Sequence, residues 1–277
     1  MASDTGAHET GQIADAMLAA LGACRQIAPV SDGDTGFDLH QAYRVTEAVR
    51  TRREARGERV VGRKIGFTNT TIWAEYRVFA PIWGYVYDTT LHKLADLAAP
   101  FDASALVEPR IEPEIIFGLG QAPDPGMDEK ALLSCVEWAA HGFEIVQSLF
   151  PGWRFAAADT VAAFGLHGAS LVSAPEPIGP GERERWHEAL SSFRIVLKRN
   201  GEAVDQGRAT NVLGGGPLTA LRHLVEVLSK TPEALPLAAG DVVTTGTLTR
   251  AMPIAPGETW STELVGVPLR GAALALA

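Results

Sequence analysis

Cysteine is scarce in this sequence, with only Cys24 and Cys135. They form neither a CxxC pair nor the even set of a disulfide-stapled secreted domain, so cross-links are not expected to hold the fold. Also missing is any run of about 18 apolar residues, the length a membrane-crossing helix needs, which argues against a membrane partner. No basic-then-apolar segment opens the chain, so the cytoplasm is the expected compartment. Positive charge is in deficit: 24 Lys plus Arg stand against 33 Asp plus Glu, a formal charge of −9. An acidic surface of this kind argues against nucleic acid as a partner. It also means that a site for an anionic substrate must supply its own positive charge.

What is present is enough hydrophobic material, 46% of 277 residues, to bury a sizeable core. A loose polar start is expected over residues 1–8. Ile13, Met17, Leu21 and Cys24 then recur at three- and four-residue spacing, predicting a helix over about 10–27 that Pro29 closes. Asp38 is an N-cap candidate for a second helix carrying Leu39, Ala42, Tyr43, Thr46 and Val49, with Gly57 at its end. From residue 59 the pattern changes to short, glycine-punctuated β runs. This divides the chain into a helical N-terminal cap segment, 1–58, and a mixed-β domain, 59–277.

Within the second part, 60–68 reads as a strand, and 72–87 is an aromatic stretch expected to be mostly core or interface. Residues 128–141 read as a helix broken by Gly142, with His141 as a helix-end residue. Asn200-Gly201 is a hairpin signal between two alternating runs. Gly214-Gly215-Gly216 before Pro217 is either a tight turn or an anion cradle. Many short strands with few helices predict an α+β fold on an irregular mixed sheet, barrel-like in form.

The stretch with most chemistry is Arg110-Ile111-Glu112-Pro113-Glu114-Ile115-Ile116-Phe117. Read as a strand, it places Glu112 and Glu114 on one face and Ile111, Pro113 and Ile115 on the other. A solvated edge strand would also carry charge and proline. If the strand is partly buried, however, two neighbouring carboxylates need a proton, a basic partner or a cation.

Four motifs in order, Gly62-Arg63-Lys64-Ile65-Gly66, Pro109 to Ile115, Phe143-Glu144-Ile145-Val146 and Thr245-Gly246-Thr247, resemble those of the fumarylacetoacetate hydrolase superfamily. Within it the chain is most similar to the 2-keto-4-pentenoate hydratase and 4-oxalocrotonate decarboxylase branch. The resemblance implies that Glu112, Glu114 and Glu144 ligate Mg²⁺ or Mn²⁺, an all-oxygen set that also suits a hard cation. It places Lys64 in the active site, holding the substrate carboxylate or assisting proton transfer. Asp159 matches an acidic position after the third ligand and becomes the second candidate for proton handling. Thr247, Gly246 and, more weakly, Thr245 become carboxylate-binding positions. The implied activity is a lyase of aromatic-compound catabolism that adds water to a 2-hydroxy-2,4-dienoate and yields a 4-hydroxy-2-oxo acid. A 4-oxalocrotonate-type decarboxylase, an acylpyruvate-type C–C hydrolase and a non-catalytic partner subunit remain open. A homo-oligomer is expected, as is association with a paralogous pathway enzyme. Two departures stand out. Pro81-Ile82-Trp83-Gly84 lacks the Asp that the branch's hydratases carry after proline, and Ala163-Phe164 replaces their Asp-Asn pair.

Overall fold

The computed structural model describes residues 2–277. Helix α1 (Ala2–Gly22) starts upstream of its apolar stripe, so the polar first residues are helical, and it stops before the expected end at Ile27. After a short α2 (Val30–Gly33), Asp38 caps α3 (Leu39–Ala55). The Asp38 side chain accepts from the Gln41 amide while Gln41 Oε1 accepts from the Asp38 amide, satisfying two donors that the first turn leaves free. Ala14, Met17, Ala42, Val45 and Val49 share one core with Ile82, Leu149 and Val161, which seats these helices directly on the rest of the chain.

The strands begin with β1 (Val60–Gly66), then short helix α4 (Trp73–Tyr76), β2 (Ile82–Tyr87), β3 (Leu91–Lys93) and β4 (Arg110–Leu119). The helix expected over 128–141 is a single short one, α5 (Glu129–Leu133), followed by a long strand β5 (Val136–Val146). His141 is therefore a mid-strand residue. Two effects override the helical reading. β5 pairs with β4 along nearly its whole length, and it is buried on both faces, so its apolar residues form a run without strand-like alternation. Gly142 is required in this strand because a Cβ there would lie 2.3 Å from the Leu171 carbonyl oxygen.

The remaining elements are α6 (Ala157–Ala162), β6 (His167–Val172), β7 (Glu176–Pro177), α7 (Arg183–Ser192), β8 (Arg194–Arg199), β9 (Glu202–Arg208), α8 (Pro217–Leu228), β10 (Val242–Thr244), β11 (Met252–Pro253), β12 (Thr259–Val265) and β13 (Ala273–Ala275). The larger sheet runs β2-β1-β10-β4-β5-β6-β3, with β11 on β4 and β7 on β5, and curls into a half-barrel. The smaller runs β13-β12-β8-β9. Asn200 and Gly201, at φ 51° and 85°, make the tight β8–β9 hairpin. The glycines before α8 form a turn, with the Gly214 and Gly216 amides donating to Thr210 and Val212. The α+β architecture on a mixed sheet is the one the sequence predicts.

Candidate metal centre

β4 is central in the sheet rather than at its edge, which makes Pro113 informative. β11 pairs with Arg110 and Ile111, β10 pairs with Ile116 to Gly118, and the ladder is open between them. Pro113 lies in that opening, where its missing N–H breaks no strand ladder. The Thr245-Gly246-Thr247 turn enters there: Leu248 N donates to Pro113 O at 3.0 Å and Thr245 Oγ1 donates to Ile115 O at 2.7 Å. Gly246 has φ 90°, and a Cβ would stand 1.9 Å from Thr68 Oγ1. The turn therefore comes close enough for the Gly246 amide to donate to Glu114 Oε2 at 2.9 Å.

Register supplies the third carboxylate. Glu112 and Glu144 are direct cross-strand partners, a pairing of like charges that costs stability unless it is relieved. Glu112, Glu114 and Glu144 each offer an oxygen within 4.8 Å of the others; Glu112 is half-buried and the other two are buried. Lys64 Nζ lies 3.0 Å from Glu144 Oε2, and His167 Nδ1–H donates to Glu144 Oε1 at 2.7 Å. Glu144 Oε2 thus has the Lys64 ammonium as its neighbour, whereas Glu114 Oε1 is buried without a hydrogen-bond partner. An orphaned carboxylate oxygen at this depth is costly. An all-oxygen cluster with bare lone pairs fits a hard divalent cation.

The titration behaviour follows from this crowding. Burial, opposed by Lys64, pushes Glu112 up to about 7. Burial and the neighbouring carboxylates hold Glu114 well above the usual carboxylate range. Burial also opposes ionisation of Glu144, but the Lys64 ammonium and the His167 ring win and bring it down to about 2. For Lys64, burial favours the neutral amine, yet Glu144, Glu112 and Glu114 together raise it, so it is an ammonium. His141 lies behind the cluster. Its Nδ1–H donates to Glu114 O at 2.8 Å, so Nε2 accepts from Thr262 Oγ1, and burial keeps the ring neutral, at about 4.

The cavity over these residues is lined by Lys64, Phe67, Ile72, Tyr76, Glu112, Val146, Trp153, Leu166 and Thr247. Its interior is about 20 Å³, room for little more than a water molecule. The covering stretch 68–76 is bracketed by Phe67 and Arg77, both in the left-handed region, at φ 52° and 55°.

Thus Lys64, Glu112, Glu114, Glu144, Gly246 and Thr247 come together. Two expected residues do not present a free group there. The Thr245 hydroxyl is spent on Ile115 O. Asp159 is buried at the start of α6, where its carboxylate accepts from Ser31 N, Ser31 Oγ and Ala156 N, tying α2 to α6. It does not line the cavity, which departs from the proton-handling role expected of it. The positions that break the hydratase pattern lie beside Lys64. Phe164, Gly165 and Leu166 form a left-handed turn at φ 62–64°, and a Cβ on Gly165 would meet Lys64 Cδ at 3.3 Å. His167 was invisible in the sequence, because only the β5–β6 register brings it to Glu144.

The comparisons with known proteins bear on this geometry. No protein-family model matches the sequence. The chain is 30% identical over 257 residues to 2-keto-4-pentenoate hydratase of Paraburkholderia xenovorans (strain LB400), covering 92% of this chain and 91% of that one. It is 31% identical over 244 residues to 4-oxalocrotonate decarboxylase of Pseudomonas sp. (strain CF600), covering 87% of each. The chain belongs to the 2-keto-4-pentenoate hydratase and 4-oxalocrotonate decarboxylase family. The named relatives of this family are lyases. Its fold is that of 4-oxalocrotonate decarboxylase from Pseudomonas putida G7, solved with magnesium and adipate, at TM-score 0.85 and 24% identity over 98% of both chains. Solved proteins of the fumarylacetoacetate hydrolase family share it more loosely. Among the described residues no helix is long and apolar enough to cross a membrane.

Proposed function

We infer that this protein is a divalent-metal-dependent hydratase that adds water to a 2-hydroxy-2,4-dienoate, giving a 4-hydroxy-2-oxo acid. The observation that carries this reading is the Glu112–Glu114–Glu144 cluster with its bare buried Glu114 oxygen, in a chain of a family with hydratase members. Those three residues would hold Mg²⁺ or Mn²⁺, which when bound supplies Lewis-acid polarisation of the substrate's 2-oxygen.

The chain's own residues do the rest. Lys64, charged and at the edge of the cluster, holds the substrate carboxylate or passes a proton as the dienol becomes the unsaturated ketone. Thr247 lines the cavity, and its hydroxyl, engaged with Thr249 O at 3.0 Å, can turn to the carboxylate. Gly246 fixes Glu114, and Thr245 and Asp159 act as positioning residues. The apolar cover keeps bulk water from the dienol, so the water added is the one the site admits.

The test is to follow dienol absorbance when the purified protein is mixed with Mg²⁺ and 2-hydroxypenta-2,4-dienoate. Metal-dependent loss of the dienol is expected. No loss, together with CO₂ release from 4-oxalocrotonate, would overturn this reading in favour of the decarboxylase activity found in the same family. A cytoplasmic location belongs to the same proposal. So does self-association, which the one-sided edge strand β9 and the exposed Val265 support and native mass spectrometry tests. Pairing with a paralogous enzyme of the pathway, and the division at 58/59, complete it.

A further inference from the structure

We propose that His167 is a positioning residue that holds Glu144 to single-oxygen ligation, so that the centre selects a cation of the size of Mg²⁺ over Ca²⁺. The proposal rests on the metal-binding role inferred above for the three glutamates. The ladder between β5 and β6 is regular from Gly142–Val172 to Ile145–Ala169 and then slips, so that Val146 faces His167 in place of Gly168. Side chains alternate along a strand, so without the slip position 168 would share the face of Glu144 and His167 would turn away. One extra residue reverses that, which is how a β-bulge re-aims a side chain. Gly168 permits it, because a Cβ there would stand 2.6 Å from the Ile145 carbonyl oxygen. His167 is thereby buried with Nδ1–H donating to Glu144 Oε1 at 2.7 Å and Nε2 bonded to Thr90 Oγ1 at 2.9 Å. Thr90 is itself fixed, its amide donating to Tyr87 O and its carbonyl accepting from Ser170 N. The ring is held at both ends and cannot swing from Glu144 without breaking the second bond.

With Oε1 taken, Glu144 has one oxygen to give. That oxygen is Oε2, and a carboxylate oxygen has lone pairs enough for Lys64 and a cation together. Glu114 is prepared in the same way: its Oε2 accepts from the Gly246 amide, which leaves Oε1. Both buried glutamates therefore offer single oxygens. A small cation that keeps near-octahedral geometry and several waters is served by such ligands. Ca²⁺ takes about six to eight oxygens, commonly two from one carboxylate, and to draw both from Glu144 it must break the His167 bond. Of the two clamps, Gly246 acts through its backbone and His167 through its side chain, so His167 is the one a substitution can release.

Calorimetric titration of the full chain with Mg²⁺ and with Ca²⁺ tests this without turnover. His167→Leu, which keeps bulk and loses the donor, should weaken Mg²⁺ binding by about tenfold or more. Ca²⁺ binding should weaken less or strengthen, so the ratio of the two affinities moves toward Ca²⁺. His167→Asn, whose side-chain amide donates from nearly the position of Nδ1, should keep the ratio of the unmodified protein. Thr90→Val frees the far end of the ring and should move the ratio in the direction of His167→Leu by a smaller factor. A purely structural role for His167 would lower Tm and leave the ratio alone in all three. An unchanged ratio in His167→Leu, or an equal shift in His167→Asn, would overturn the proposal with the three-glutamate site intact. No Mg²⁺ binding by the unmodified protein would sink both. Should His167→Leu fail to fold, an unchanged ratio in Thr90→Val decides against the proposal in its place.

Discussion

The protein buries acidic groups in two places and treats them in opposite ways. At the start of α6, Asp159 is saturated: two backbone amides and one hydroxyl donate to its two oxygens. Across β4 and β5, three glutamates have Lys64, His167 and the Gly246 amide among them, and Glu114 Oε1 stays bare. A buried carboxylate with donors on both oxygens is holding structure together. One with an oxygen that no donor reaches, set against other carboxylates, is waiting for charge from elsewhere. The contrast separates a structural acid from ligand-ready acids without reference to any relative.

Three predictions press on that contrast. The largest effect is expected at the bare cluster. Glu114→Gln or Glu144→Gln should reduce Mg²⁺ affinity by about 100-fold or more, since even residues that merely orient a ligand are worth 10–100-fold. Isothermal titration with Mg²⁺ measures this, and unchanged affinity would remove the cluster's assignment. At the saturated site the effect should fall on stability instead. Asp159→Asn leaves at least one buried donor unsatisfied and should cost about 1–3 kcal/mol of folding free energy with Mg²⁺ affinity near that of the parent. Urea unfolding and the same titration check it, and a loss of metal affinity matching that of Glu114→Gln would erase the distinction.

The smallest effect is in pH. Glu112 and Glu114 titrate above their unfolded range, so in the metal-free protein both bind protons that the unfolded chain has released. Their contribution to stability is present below about 4.5 and is lost as pH rises through about 7, where Glu112 ionises. Mg²⁺ must displace those protons, so the rise in Tm that it causes should be larger at pH 8 than at pH 6. Differential scanning fluorimetry reads this directly. An equal or reversed shift would mean that the glutamates are already ionised at pH 6.

The same contrast explains what could be read in the chain. Glu112 and Glu114 were legible because a two-residue period is a local property, and Asp38 and Asn200-Gly201 announced a helix cap and a hairpin for similarly local reasons. The stretch 136–141 was misread because a strand covered on both faces has no alternation to display. Asp159 looked like a candidate because residue type says nothing of how many donors surround it. His167, Tyr76 and Arg110 depend on registers and crossings between segments distant in sequence, such as Arg110 opposite Val146 and Tyr76 in the stretch between Phe67 and Arg77. The resemblance singled out Lys64 and Thr247, which both line the cavity beside the glutamates, while the hydrogen bonds that engage Thr245 and Gly246 appear only in three dimensions.

The cavity above the glutamates has room for roughly one water, far below the volume of a five- or six-carbon acid. A ligand of that size therefore needs the 68–76 cover to shift, and such a shift would carry Tyr76 off Arg110 and separate Glu75 from Arg250. A cover that opened at each turnover would make kcat fall as solvent viscosity rises, which a viscosity titration measures.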